Sequence, residues 1–223
     1  SSALLGRSVE GRPITVKRIG EGSLQVLLIG GLHAGSEPEA VAIVSELFDH
    51  FTADPSRLRP EITLYAVISA NPDGNAAQVR LNARGVDLNR NWPSNNWKEL
   101  ALHGSQVVSG GSSPLSEPET NALHEFIQEY EPHLVVGWHA YAGLVEGNDL
   151  GLAEELASVY ADATGLAHVP RWPFYEITGD LLAFTAEAGI HALDIELLRD
   201  DWRAFERHLD GLDALLDKLV ALH

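Results

Sequence analysis

The sequence contains no cysteine and no methionine. Without cysteine there are no disulfides and no thiol nucleophile, and any transition metal must be held by histidine and carboxylate side chains. That absence does not fix a compartment. Basic residues are scarce: 15 Lys and Arg stand against 32 Asp and Glu, a formal net charge of -17. Such an acidic surface speaks against nucleic acid or an anionic membrane as partner, so an anionic ligand would need a local basic pocket. No apolar run approaches the roughly 20 residues of a membrane span, so no membrane association is expected. The sequence begins at Ser1-Ser2, which leaves any removed signal or pro-segment invisible.

What is present describes an ordinary folded chain. With 223 residues, 45% hydrophobic and 21% charged, it is long enough for one sizeable α/β core and short for two. No internal repeat, low-complexity segment or linker divides it, so residues 1–223 are expected to form one domain; nothing in the sequence sets an oligomeric state. Alternation predicts a half-buried strand over residues 14–19. Apolar runs predict core strands over 24–29, 62–69, 132–138 and 190–197. Helical periodicity predicts a helix entered at Pro38, one opened by a capping box of Ser116 and Glu119, and others over 152–164 and 181–188. A last helix buries Trp202, Phe205, Leu209, Leu212, Leu216 and Leu219. Residues 4–13 read as turn-rich, Asn71-Pro72-Asp73-Gly74 as a turn, and the long loop over 94–113 as a surface above a site.

One stretch stands against the charge of the whole. Residues 71–93 read NPDGNAAQVRLNARGVDLNRNWP and gather Arg80, Arg84 and Arg90. A guanidinium fork offers paired donors and a permanent charge to a carboxylate, although a solvated loop with structural ion pairs fits the same residues. His33, Glu37 and His139 fall at the ends of expected core strands, where open α/β sheets place their sites. Two imidazoles and one carboxylate leave a fourth zinc position open, the arrangement of a hydrolytic centre; spacing alone fits buried structural histidines equally well. Glu196 and Asp194 lie on one face of an otherwise apolar strand, where a carboxylate is costly to bury unless paired or near a metal. Near zinc, Glu196 could take a proton from water and pass it to a leaving amine. Tyr175, on the loop FYEITG, is a phenol placed to cap a ligand, or simply to pack. The other histidines, His103 among them, read as loop or polar-face residues.

Taken together, GRSVEGRPI, NPDG, RLNARGVDLNRNWP, SEPET, HAY, YEITGD and GIHALDIEL resemble, in order along nearly the whole chain, the zinc carboxypeptidases of the M14 metallopeptidase family. The resemblance implies a mixed, mostly parallel eight-stranded sheet between helices. It implies one Zn2+ held by His33, Glu37 and His139, with Arg80 stabilising the oxyanion. Asn89 and Arg90 would grip the substrate's terminal carboxylate, Tyr175 would close over it, and Glu196 would be general base and acid. The family's first motif is usually HxxE, whereas His33-Ala-Gly-Ser-Glu37 carries one extra residue, with Glu39 the alternative ligand. The run at 96–99, SEPET and YEITG resemble in particular the bacterial murein peptide amidase branch, which cleaves a γ-D-glutamyl bond to diaminopimelate. Counting back from Glu196 places Leu181 where side-chain preference is set, and Asp194 is expected to bind an ammonium or guanidinium there. The implied partner is a peptide or muropeptide with a free terminal carboxylate. Competing readings are an N-acyl amino acid deacylase and a non-catalytic module that binds peptide termini.

Overall fold

The computed structural model describes residues 1–201 and 203–223. In chain order the strands are β1 (Ser2–Arg7), β2 (Pro13–Ile19), β3 (Leu24–Ile29), β4 (Ile62–Val67), β5 (Leu100–His103), β6 (Gln106–Ser109), β7 (Leu134–Ala140), β8 (Leu144–Gly147), β9 (Ala167–Val169) and β10 (His191–Leu197). The helices are α1 (Pro38–Ala53), α2 (Pro72–Ala77), α3 (Pro118–Tyr130), α4 (Gly151–Thr164), α5 (Leu181–Glu187) and α6 (Ala204–Ala221). Eight strands form one mixed sheet in the order β1-β2-β4-β3-β7-β10-β8-β9, and β5 with β6 makes a separate hairpin. β4, β3, β7 and β10 run parallel, as do β8 and β9; the other adjacencies are antiparallel.

Continuous apolar runs form the central strands because both faces are covered. Side chains alternate across β3, so Val26 and Leu28 pack with Val44, Leu156, Leu212 and Leu216 of α1, α4 and α6. Leu27 and Ile29 point the other way, into a second cluster with Leu123, Phe126, Leu181, Phe184 and the fully buried Trp92. The parallel strands β3, β7 and β10 therefore end along one edge of the sheet, which is where the histidines and Glu196 emerge.

Several local expectations need correction. Residues 2–7, which overlap the stretch 4–13 read as turn-rich, pair with β2 as an edge strand. Asn71 to Gly74 is no simple turn: Pro72 opens α2, and the Asn71 side chain accepts from the Gly74 N–H at 2.9 Å, since Asn and Pro are helix-start residues as much as turn residues. Ser116 and Glu119 make no capping box. The helix starts two residues beyond Ser116, which instead hydrogen-bonds Glu117, while the buried Glu119 accepts from the Val9 N–H near the N-terminal strand. Trp202 of the expected last helical face lies outside the described residues; α6 carries Leu212, Leu216 and Leu219 inward as anticipated. Among the described residues no helix is long and apolar enough to cross a membrane.

Candidate metal centre and substrate cavity

β3 ends at Ile29, and Gly30-Gly31 follows with no room for side chains: a Cβ on Gly30 would stand 2.7 Å from Ile68 O and 2.8 Å from Ala40 O. This close passage delivers His33 to the sheet edge. The chain then makes one 3-10 turn, Ala34–Ser36, before Pro38 opens α1. That turn absorbs the extra residue of the His-to-Glu spacing. Glu37, at the N-cap position of α1, folds back so that its Oε1 lies 3.0 Å from His33 Nδ1. Glu39 is exposed on α1, where the Tyr141 hydroxyl donates to it, and so takes no part in the cluster.

His139 completes the group from the end of β7. Its Nδ1 lies 3.1 Å from His33 Nδ1 and 3.5 Å from Glu37 Oε2. All three residues are buried, and their ligand atoms lie within 4.8 Å of one another. Two imidazoles and a carboxylate are a donor set that suits zinc. The electrostatics fit a cation as well. Burial alone would lower the His139 pKa, yet Asp194 and Glu37 hold it well above its usual value; burial alone would raise that of Glu37, yet His33 and His139 hold it below. Positive charge is thus stabilised where a metal would bring it.

Asp87, to which no role was given from sequence, supports the cluster from behind. It is fully buried, its Oδ1 sits 3.2 Å from His33 Nε2, and its Oδ2 accepts from Arg80 Nε at 2.8 Å. Burial would raise its pKa, but Arg80 and then His33 keep it ionised, well below the ordinary carboxylate range. A carboxylate on the far nitrogen of an imidazole fixes the ring and raises its basicity as a ligand. Arg80 also reaches Glu37 Oε1 at 3.1 Å and His33 Nε2 at 2.8 Å, so its guanidinium balances both acids.

Glu196 is placed by register. β10 and β7 run parallel with Glu196 opposite His139 and Asp194 opposite Gly137, so all these positions face one side of the sheet. Glu196 accepts from the Ala142 N–H at 3.3 Å, and burial raises its pKa against the opposing pull of His139. Asp194 Oδ1 stands 3.7 Å from His139 Nε2, too far for a hydrogen bond, and neither atom has another partner.

These groups line one cavity of about 1260 Å³ together with Asn89, Arg90 and Tyr175. Arg90 is almost fully buried; its Nε donates to Leu102 O at 3.1 Å and its Nη1 to Asn89 O at 2.6 Å. Asn89 Oδ1 accepts from the Leu181 N–H at 3.0 Å, tying the loop to the start of α5. Tyr175 is half-buried, its pKa raised by burial against the charges of Arg90 and Arg80. The loop over 94–113 does cover the site: the hairpin β5–β6 brings His103 and Gln106 to the cavity wall.

Two expectations fail here. Arg84 does not join Arg80 and Arg90; it is exposed, donating to Ser116 O at 3.3 Å and lying 3.7 Å from Glu117. Leu181 is fully buried in the core, and its neighbours Asp180 and Leu182 line the cavity instead. Helix α5 begins at Leu181, and a helix turns about 100° per residue, so counting along the sequence could not select the inward position. Sequence reasoning also missed His103, Asp180, Glu146 and Asn148 as cavity residues; only strand pairing and loop placement bring them in.

With this geometry in view, comparisons with known proteins agree. The sequence profile of the zinc carboxypeptidase family matches residues 2–146. Murein peptide amidase A of Escherichia coli strain K12 is 31% identical, over 95% of this chain and 87% of that protein. The crystal structure of murein-tripeptide amidase from Escherichia coli O157 superposes with a TM-score of 0.78 at 29% identity, over 97% of this chain and 91% of that one. Bovine thrombin-activatable fibrinolysis inhibitor, in complex with tick carboxypeptidase inhibitor, gives a TM-score of 0.86 at 16% identity over 100% and 91%, a likeness of fold alone.

Proposed function

Since this chain belongs to the zinc carboxypeptidase family, we propose that it hydrolyses an amide bond beside a free carboxylate, with a muropeptide as substrate. Support for the muropeptide comes from the relatives named as murein peptide amidases. His33, Glu37 and His139 would hold the zinc ion, which when bound would supply Lewis-acid polarisation and a lowered pKa for water. Glu196, partly desolvated beside that cluster, takes a proton from the attacking water and returns it to the leaving nitrogen. Arg80 stabilises the negative charge that develops on the carbonyl oxygen. Arg90 and Asn89 hold the terminal carboxylate, and Tyr175 covers the substrate and limits water.

The observation that carries this reading is the register of β7 against β10, which sets Glu196 beside His139. Its test is Glu196→Gln, with zinc content and turnover of γ-D-glutamyl-diaminopimelate peptides measured on one preparation. Turnover is expected to fall by about 10²–10⁴, the usual contribution of a general base, with zinc retained. Unchanged turnover in a zinc-loaded variant would remove Glu196 from the reaction.

A further inference from the structure

On the side of the metal cluster away from Arg90 stands another arginine without an acid. The direction of the strands separates the two. The charge of Arg90 reaches Asp180, which also feels Asp194, and Asp194 precedes Glu196 on β10. In the other direction β10 leads past Glu196 to Arg199, and β7, parallel to it, leads past His139 to Tyr141. The two segments are tied together there: the Gly143 N–H donates to Leu197 O at 3.3 Å, and the Ala142 N–H to Glu196 Oε2 at 3.3 Å. Tyr141 lines the cavity, and the exposed Arg199 lays its guanidinium over that ring, 4.3 Å from the centroid.

Stacking holds the face of a guanidinium and leaves the N–H donors at its edge free, which is how arginine meets a carboxylate. The Tyr141 hydroxyl donates to Glu39 of α1, which fixes the ring beneath the cation. Glu39 is thereby engaged, and Asp201 nearby accepts from Arg207 Nε at 2.7 Å. Among the described residues Arg199 pairs with no carboxylate, and neither does Arg90. The chain sets 32 acids against 15 bases, so it repels anions at long range, and an anionic group on the substrate needs a local cation. A substrate with its terminal carboxylate on Arg90 and its scissile carbonyl at the metal cluster must carry its acyl residue past Glu196, towards Tyr141 and Arg199. A neutral acyl residue brings no charge there. A glutamyl residue joined through its side chain, or an acidic residue joined through its main chain, brings a free carboxylate.

We propose that Arg199, stacked on Tyr141, binds a free carboxylate on the acyl residue of the substrate and so selects acidic acyl residues over neutral ones. The assignment rests on the hydrolase reading for the direction in which the substrate lies. Its first test needs no turnover. L-alanyl-D-glutamate and L-alanyl-D-isoglutamine differ only in an α-carboxylate against an α-carboxamide. Their affinities for the zinc-loaded protein are measured by calorimetry, for wild type, Arg199→Gln, Arg199→Lys and Arg171→Gln. The wild type is expected to favour the carboxylate by about tenfold, as a charge-assisted hydrogen bond provides. Arg199→Gln should abolish the preference and Arg199→Lys should keep part of it. Arg171→Gln removes an equal charge from an exposed arginine elsewhere on the cavity rim and should leave the preference intact. Equal binding of the two ligands, no binding of either, a preference that survives Arg199→Gln, or one lost equally in Arg171→Gln overturns the assignment. Turnover then identifies the linkage: peptides joined through the glutamyl side chain and through its main chain are each compared with their carboxamide counterparts, and the linkage that shows the preference is the one whose carboxylate Arg199 takes. Hydrolysis with no carboxylate preference in either linkage would sink this inference alone, whereas selective binding without turnover would sink only the hydrolase reading.

Discussion

Asp87 touches two of the groups around the metal cluster without itself being a ligand candidate. It orients His33 and anchors Arg80, so Asp87→Asn keeps the shape and removes the charge. Zinc affinity is expected to fall by about 10–100-fold, read by competition with a chromophoric chelator; unchanged affinity would show that His33 needs no carboxylate behind it. Residues of this kind separate what a sequence displays from what it hides. His33, His139 and Glu196 were legible because each interrupts or ends an apolar run, and a buried ionisable group there demands a reason. Glu37 was legible only as one of two acids, and the 3-10 turn chose it over Glu39. Asp180 and Glu146 carried no signal, because an acid beside a helix start or on a short strand is ordinary until the fold encloses it.

At the scale of elements, α4 and α6 pack across a buried pair, with Tyr160 Oη donating to His208 Nδ1 at 2.6 Å. Burial lowers His208 to about 4, against about 6.5 in an unfolded chain. Between these values the unfolded state binds more protons, so this contribution to stability is present above pH 6.5 and is lost as pH falls through 4. Relative to His208→Gln, the wild type should gain about 2–3 kcal/mol from pH 4 to 6.5, measured by urea unfolding across that range. A constant difference would mean that His208 does not titrate with folding. Elements with long periodic patterns, such as α1, α3, α4 and the core strands, could be read in advance; β1, β8, β9 and the β5–β6 hairpin could not. β5, β6, β8 and β9 are only three or four residues long, and β1 is a largely exposed edge strand, so none of them carries a periodic apolar pattern of its own.

For the whole molecule, the metal cluster joins β3, α1 and β7, so a metal bound there links distant parts of the chain. Removing it with a chelator should lower the melting temperature, and restoring zinc should recover it. Zinc at 1,000 times its dissociation constant contributes about 4 kcal/mol. A melting curve indifferent to chelation and to added zinc would mean that the cluster binds no metal in the folded protein.

By itself the sequence determined that the chain is acidic, without thiols, α/β in class, and equipped with the His, Glu and Arg residues of a hydrolytic zinc family. Charge, thiol content and fold class reside in residue type and local periodicity, whereas the hydrolytic residues were legible as a set only through the ordered motifs that resemble the M14 peptidases. Only the tertiary structure decided that Leu181 faces the core, that Arg84 leaves the site, and that Asp87, Glu146 and Asp180 enter it. The cause is physical: a side chain's direction depends on strand register and helix phase, and a shift of one residue in either turns it from the cavity to the core.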